Sequence, residues 1–309
     1  MVDAPPSPEL ELPSARGAVR CAYHPCPGAA AAVLMVGGAD GGLDGPADAL
    51  YPELAQDLGA LGLAALRVDF RIHRFPGDVE QGVHDVQVGL EFLAAEGVAR
   101  AGLVGHSFGG AVVIEAAVDS PRVASVATLA TQTAGAQRVG ALAPRPLLLV
   151  HGLNDDRLLP DCSRLLYRQA GEPKRLELLA GARHSLRQRR EDVRRLLLDW
   201  FTETLAPPSL AGRWRITVRT PMGEQHGTLE LAGAPATLRG TVSALGTTAA
   251  VSGSFEGGAL WLRGTVQAPW RGRQPFTLDG ALDGTRLSGT VTLGALGSGL
   301  WTAERDEGA

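Results

Sequence analysis

The sequence predicts two domains of different class. The first is a mostly parallel α/β sheet covered by helices on both faces, and the second is all-β, with about eight short antiparallel strands. Three observations predict this. As far as Leu205, short continuous apolar runs alternate with longer runs of helical spacing, the pattern of buried strands joined by crossover helices. Within that stretch the strand-like Ala101–Val104 leads through Gly105-His106-Ser107-Phe108-Gly109 into the helix-length, Ala/Val-rich run Ala111–Val118. From Leu210 onward helical spacing is gone, and short alternating segments recur between Gly, Asp-Gly and Pro.

Taken in order, residues 1–17 read as an N-terminal extended arm, Pro-rich as far as Ser14, and Ala18–His24 as the first strand. Ala32–Val36 is apolar throughout and too short for a helix, so it is expected to be a strand buried on both faces. The glycine-rich loop Gly37–Gly42 follows. Tyr51–Leu61 has helical spacing, with Tyr51, Leu54, Ala55, Leu58 and Leu61 on one face. Leu63–Asp69 is a further strand, and Gly82–Glu96 a helix whose stripe is Val83, Val86, Leu90 and Leu93. After the Gly105–Gly109 turn come strands at Val123–Leu129, Pro146–Val150 and Arg175–Leu179, with helices at Cys162–Ala170 and Arg189–Leu205. Only Ala130–Pro144 separates two of these strands, which leaves no room for a helical lid.

The α/β domain is therefore placed at 18–205, a Pro-stiffened linker at 206–209, and the β domain at 210–305. Its expected strands are Arg213–Thr220, Gly227–Leu231, Ala236–Val242, Ala249–Phe255, Leu260–Val266, Phe276–Ala281, Arg286–Leu293 and Gly299–Ala303. Weak repetition links Arg239-Gly240-Thr241-Val242, Arg263-Gly264-Thr265-Val266 and Ser288-Gly289-Thr290-Val291. Asp279-Gly280 and Asp283-Gly284 are hairpin-turn signals. The pattern fits an up-and-down barrel or a sandwich. Closure into a barrel would set the Trp214 strand beside the Trp301 strand and remove the free edges. Trp214, Trp261, Trp270 and Trp301 are read as barrel core, and Arg213, Arg215, Arg263, Arg271 and Arg273 as scattered solvated arginines.

Composition narrows the function. A net charge of −4 over 309 residues gives no electrostatic footprint for nucleic acid or an acidic membrane surface. Cys21, Cys26 and Cys162 form neither a disulfide framework nor a zinc-spaced cluster, and no metal or organic cofactor is implied. The N-terminus lacks the basic start and apolar core of a signal peptide, and no apolar run reaches transmembrane length. A soluble cytoplasmic protein is expected. Lys174 is the only lysine, a bias that GC-rich bacterial coding explains most simply.

A serine between two such glycines, on a sharp strand-to-helix turn, is held in a strained conformation that lifts its hydroxyl clear of the sheet. Side chains at Gly105 and Gly109 would collide with the neighbouring strand and helix. The hydroxyl needs a base, and the base needs an acid to hold its tautomer. His24, His73 and His84 precede the nucleophile, against the Ser-acid-His order of this arrangement. His106 is beside it in the turn, His151 ends a buried strand, and His226 is in the second domain. His184, in the loop Gly181–Leu186 after the last strand, is the expected base. The acid lies in the loop after Val150, where Asp155, Asp156 and Asp161 compete; Asp155, at Gly-x-x-Asp spacing, is preferred.

Through the Gly105–Gly109 elbow, His151-Gly152-x-x-Asp155 and Gly181-Ala182-Arg183-His184, residues 18–205 resemble small α/β hydrolases of the dienelactone-hydrolase-like kind. The resemblance implies Ser107 as nucleophile, Asp155 as acid and His184 as base, with an oxyanion hole made by the N–H groups of Ala39 and Phe108. Relatives often carry His-Gly where this chain has Gly37-Gly38, a change that backbone donors tolerate. That family commonly uses Cys on lactones, whereas Ser107 points to carboxylesterase-like chemistry. The second domain resembles the small lipocalin-like β-barrel modules appended to bacterial hydrolases, through Gly212-x-Trp214, Thr220-Pro221-Met222-Gly223, Asp283-Gly284-x-x-Leu287-Ser288-Gly289-Thr290 and Gly299-x-Trp301. The expected activity is hydrolysis of a small-molecule carboxylic ester or thioester. A peptidase or amidase on the same residues, and a non-catalytic binding protein acting through its β domain, are the alternatives.

Overall fold

The computed structural model describes residues 9–74, 77–205, 210–220, 223–233, 235–244, 246–256, 259–268, 272–283, 286–294 and 297–306. The linker expected at Ala206–Ser209 and the expectations for Trp270, Arg271 and the Asp283-Gly284 turn fall on or beside residues outside that set. The chain divides into two compact units, Met1–Ala206 and Pro207–Ala309.

In the first unit the strands are β1 (Glu9–Leu12), β2 (Val19–His24), β3 (Ala31–Val36), β4 (Ala64–Val68), β5 (Arg100–His106), β6 (Val123–Leu129), β7 (Leu147–Gly152) and β8 (Lys174–Leu179). They form one sheet in the order β1-β2-β4-β3-β5-β6-β7-β8. From β4 to β8 every pairing is parallel, and β2, antiparallel to both β1 and β4, alone runs against the rest. The helices are α1 (Pro46–Ala60), α2 (Val79–Ala95), α3 (Phe108–Asp119), α4 (Asp161–Gln169) and α5 (Arg190–Leu205). The two-residue period of a strand decides which layer each side chain enters. Ala32, Leu34 and Val36 join the core under α2, α3 and α4, while Ala31, Val33 and Met35 join the core under α1 and α5. β3 is buried at all six positions, as its unbroken apolar run requires. The residues between β6 and β7 are all described and hold a single 3-10 turn, Val139–Leu142, so no helical lid is inserted there.

Two local features depart from expectation. The arm is not merely extended: Glu9–Leu12 pairs with β2 as an edge strand, turning Leu12 into the core while Arg20 holds Glu9 at 2.9 Å. The alternation Glu-Leu-Glu-Leu carries that information in too short a window to stand out beside the prolines. Helix α1 begins earlier than its periodicity shows, and Ala47, Asp48 and Ala49 turn left-handed there, with φ of 56°, 56° and 60°. Such a turn costs an L-residue about 1–2 kcal/mol. It is tied down by the Ala47 N–H, which donates to the Ser185 carbonyl at 2.8 Å, and by Tyr51, whose buried hydroxyl donates to Val36 at 3.0 Å.

The second unit is a closed barrel of β9 (Gly212–Thr220), β10 (Gly223–Ala232), β11 (Leu238–Ala244), β12 (Thr247–Glu256), β13 (Ala259–Ala268), β14 (Gly272–Asp283), β15 (Arg286–Thr292) and β16 (Ser298–Arg305). Each strand pairs antiparallel with the next, and β16 returns to β9, with Trp301 opposite Val218 and Arg305 opposite Trp214. The barrel is thus up-and-down, not a sandwich. The two ends of the module meet: Asp306 N–H donates to Arg213 at 2.9 Å, and Arg305 lies over the Trp214 ring. Trp214 and Trp301 fill the interior, each 1% exposed. Trp261 does not; Leu260 and Leu262 face inward, so the strand period turns Trp261 outward, where it is 42% exposed beside Arg263. Where the interior residues are small, around Val242, Ala244, Ala249 and Val266, a cavity of about 50 Å³ remains. An engineered apolar cavity that takes benzene is roughly 150 Å³, larger than this space.

Each unit holds its own buried cluster, so each is expected to fold alone. A chain ending at Leu205 and a separate chain from Leu210 should each give one cooperative thermal transition by circular dichroism. An unfolded or aggregated product from either would overturn the proposed boundary.

Candidate active site

Ser107 joins β5 to α3 with φ 55° and ψ −115°, a region that costs a non-glycine residue on the order of 1–3 kcal/mol. The turn is this tight because its walls touch. A Cβ on Gly105 would run into the Gly109 carbonyl, and one on Gly109 into the Gly37 carbonyl after β3. The Ser107 N–H donates to Leu129 at 2.8 Å, which fixes the serine at the carboxyl ends of β5 and β6. Its own carbonyl accepts from the N–H of Gly110 at 3.1 Å, with Gln132 N and Thr131 Oγ1 each at 3.4 Å.

His184 approaches from the loop after β8. Its Nε2 is 3.1 Å from Ser107 Oγ, and its Nδ1 is 2.8 Å from Asp155 Oδ2. Nδ1–H donates to the carboxylate, which leaves the Nε2 lone pair facing the hydroxyl. Three neighbouring segments hold this loop. Asn154 N–H donates to Ala182 at 2.9 Å, Ala47 N–H to Ser185, and the Asn154 side chain accepts from Gly181 N–H at 3.0 Å. From the elbow, His106 Nε2 donates to the His184 carbonyl at 3.0 Å.

Asp155 is the carboxylate the structure brings in. Its Oδ1 accepts from the N–H groups of Arg157 at 2.9 Å and Leu158 at 3.0 Å. Burial pushes its carboxyl up, but the His184 hydrogen bond and the Leu158 and Arg157 donors outweigh that and hold it below the ordinary carboxylate value. Asp156 is exposed, and Asp161, also exposed, pairs with Arg164 at 2.8 Å. The loop after β3 also reaches Ser107: a Cβ on Gly38 would lie 3.7 Å from Ser107 Cβ and 3.5 Å from His106 Nδ1. Ala39 is the next residue along that loop. Phe108 opens α3, and its N–H, first of the helix, has no partner within it.

The remaining histidines are elsewhere or otherwise engaged. His24 meets Arg67 at 3.0 Å, His73 meets Asp69 at 2.7 Å and packs on Gly41, and His84 meets Ser14 at 3.1 Å; His226 is in the barrel. His151 is fully buried and reaches the same Asp155 oxygen as His184, at 3.2 Å. Its sequence position indicates packing or a local hydrogen bond, but nothing local reveals that it shares Asp155 with His184. The contacts of Thr131 and Gln132 to the Ser107 carbonyl are likewise set by the parallel pairing of β5 with β6 and have no motif. Among the described residues no cluster of His, Cys, Asp and Glu has the makings of a metal site, and no helix is long and apolar enough to cross a membrane.

No protein-family model and no curated protein matches this sequence. Solved structures do resemble it. The dienelactone hydrolase of Anabaena variabilis ATCC 29413 aligns with a TM-score of 0.57 at 19% identity, over 64% of this chain and 97% of its own. Est1E from Butyrivibrio proteoclasticus gives 0.55 at 16% identity, over 65% of this chain and 100% of its own. The esterase domain of a Rhodothermus marinus protein gives 0.53 at 24% identity, over 64% and 99%. What is shared at these identities is the fold: the first unit has the α/β-hydrolase fold, followed by a closed eight-stranded antiparallel barrel.

The environment of His106 carries a pH signature. Burial, more than any neighbouring charge, pushes its imidazole from 6.5 down to about 4. Between those values the unfolded chain takes up a proton that the folded site refuses, so stability is present above pH 6.5 and is lost as pH falls toward 4. That contribution amounts to up to about 3 kcal/mol. In urea unfolding at several pH values, His106→Asn is expected to flatten the acid-side loss relative to wild type. An unchanged slope would show that His106 is not held neutral.

Proposed function

We propose that the first unit is a serine hydrolase of small carboxylic esters, thioesters included, acting through an acyl-enzyme on Ser107. The observation that carries this reading is the unbroken line Ser107 Oγ–His184–Asp155, at 3.1 and 2.8 Å, on a strained elbow at the strand ends. His184 Nε2 removes the hydroxyl proton as Oγ attacks the acyl carbon. The carbonyl electron pair moves onto oxygen, where the N–H groups of Ala39 and Phe108 receive it. Collapse of that oxyanion expels the alkoxide or thiolate, which leaves with the proton from His184. Water, deprotonated by the same imidazole, then releases the acid and restores Ser107.

Asp155 suits its part because it stays ionised at neutral pH and meets the imidazolium formed at each step. The positive end of α3 adds to the same stabilisation of negative charge. An oxyanion donor is worth on the order of 100- to 1,000-fold in rate. Esters are favoured over amides by the dienelactone hydrolase and esterase domain that share the fold. A non-catalytic scaffold has no need of a base oriented by a buried acid.

The test is covalent labelling with a fluorophosphonate alongside turnover of activated esters and anilides. Wild type is expected to label once and to hydrolyse esters, and Ser107→Ala to do neither. Asp155→Asn should reduce turnover by roughly 10⁴-fold through the wrong histidine tautomer, while the exposed Asp156→Asn remains near wild type. Turnover or labelling surviving in Ser107→Ala would sink the assignment, and anilide cleavage matching ester cleavage would move the reading to an amidase.

A further inference from the structure

The acid of the proposed triad is shared. Asp155 Oδ2 lies 2.8 Å from His184 Nδ1 on one side and 3.2 Å from His151 Nε2 on the other, and both the His151 and Asp155 side chains are fully shielded from solvent. His151 is itself fixed in one tautomer by its partners. Its Nε2 faces two acceptors, the Asp155 carboxylate and the Leu158 carbonyl at 2.9 Å, so that nitrogen bears the proton. Its Nδ1 then accepts, and Ser163 Oγ, buried on α4 at 2.7 Å, donates to it. The result is a second serine–histidine pair, inert and enclosed, running into the carboxylate from the side opposite the reactive one.

We infer that His151 is a positioning residue of the proposed hydrolase: its Nε2–H, locked by Ser163, holds Asp155 Oδ2 against His184 and draws off part of the carboxylate's charge. The inference rests on the hydrolase reading above. Three observations support it beyond the distances. The donor is neutral, since burial pushes the imidazole below its ordinary value more than Leu158 and Asp155 raise it. The titratable groups around the His151–Asp155 pair are His184, His106, Cys162 beside Ser163 and, past Cys162, Asp161, and the Leu158 carbonyl is the second acceptor at Nε2. Gly152, the residue after it, admits no side chain, because a Cβ there would run into the Ala182 carbonyl of the His184 loop. β7 is thus pressed against the loop that bears the base, and His151 sits at that contact.

The donation has a definite electrostatic sign. With His151 donating, Asp155 presents less negative charge to His184. Without it, the carboxylate favours the His184 imidazolium more strongly, and the base stays protonated to higher pH. A hydrogen bond to a charged group is worth enough to change a rate by roughly 10- to 100-fold.

The test uses the full chain with His151→Phe, which keeps a ring and removes the donor, His151→Gln, which returns a donor at similar reach, and Ser163→Ala. Turnover of an activated ester is measured per fluorophosphonate-labelled site, so that misfolded protein is not counted. His151→Phe is expected to lower kcat about tenfold or more with KM unchanged, and to move the acid limb of kcat/KM to higher pH. His151→Gln should recover most of both, and Ser163→Ala should shift both in the same direction by less. In the proton spectrum, His151→Phe should lose one downfield imidazole N–H signal and displace the other, that of His184. A merely structural role predicts a lower melting temperature with wild-type kcat per labelled site and an unmoved acid limb; that result overturns the inference and leaves the hydrolase reading intact. If His151→Phe does not fold, wild-type kcat per labelled site together with an unmoved acid limb in Ser163→Ala overturns it equally. A wild-type protein that neither labels nor hydrolyses overturns the hydrolase reading instead, and an undisplaced His184 N–H signal in His151→Phe then rejects the contact itself.

Discussion

A carboxylate with no access to water sets the terms for the first unit. Burying an unpaired carboxylate costs far more than a domain's whole margin of stability, so Asp155 exists in this place only because donors converge on it. Two backbone N–H groups, from Arg157 and Leu158, close on one oxygen, and two imidazoles close on the other. Each donor comes from a segment that must be held in turn. The loop after β8 is braced by Asn154, Ala47 and His106, the left-handed opening of α1 is braced by Ser185, and the elbow is braced by Leu129 and Gly37. The strain in Ser107 and in Ala47–Ala49 is stored in the same neighbourhood, where the surrounding packing over-determines it.

Much of this was legible before any coordinates, because the signals were local. β3 declared itself through the unbroken apolar run Ala32–Val36, and the elbow through two glycines whose spacing matches the contacts they make with Gly109 and Gly37. All eight expected strands of the barrel are present, since a closed up-and-down barrel writes its period into each strand separately. The meeting of Ser107, Asp155 and His184 followed from chain order and loop position, and the distances bring those three together rather than Asp156 or Asp161.

What sequence could not display is whatever depends on two distant segments touching. His151 looks like the apolar end of a strand until Asp155 folds back on it. Ala47–Ala49 lies ahead of the periodic stretch Tyr51–Leu61, and nothing in side chains as small as Ala, Asp and Ala announces a turn of the opposite hand. The edge strand Glu9–Leu12 is only four residues long, below the window in which alternation can be trusted. Trp261 was misplaced for a different reason: tryptophan's size argues for burial, but the two leucines flanking it had already taken the inward positions.

The closure of the barrel by β16 on β9 has a consequence for its history and its use. Its first and last strands are hydrogen-bonded neighbours, with Asp306 bonded to Arg213 and Arg305 laid over Trp214. A module whose entry and exit lie side by side presents no exposed strand edge to a new host and makes no demand on the distance between two attachment points. It can be appended, inserted within a surface loop, or opened at a hairpin and rejoined through its old ends without disturbing its pairing. Genetic transfer of such a piece between unrelated enzymes is geometrically undemanding.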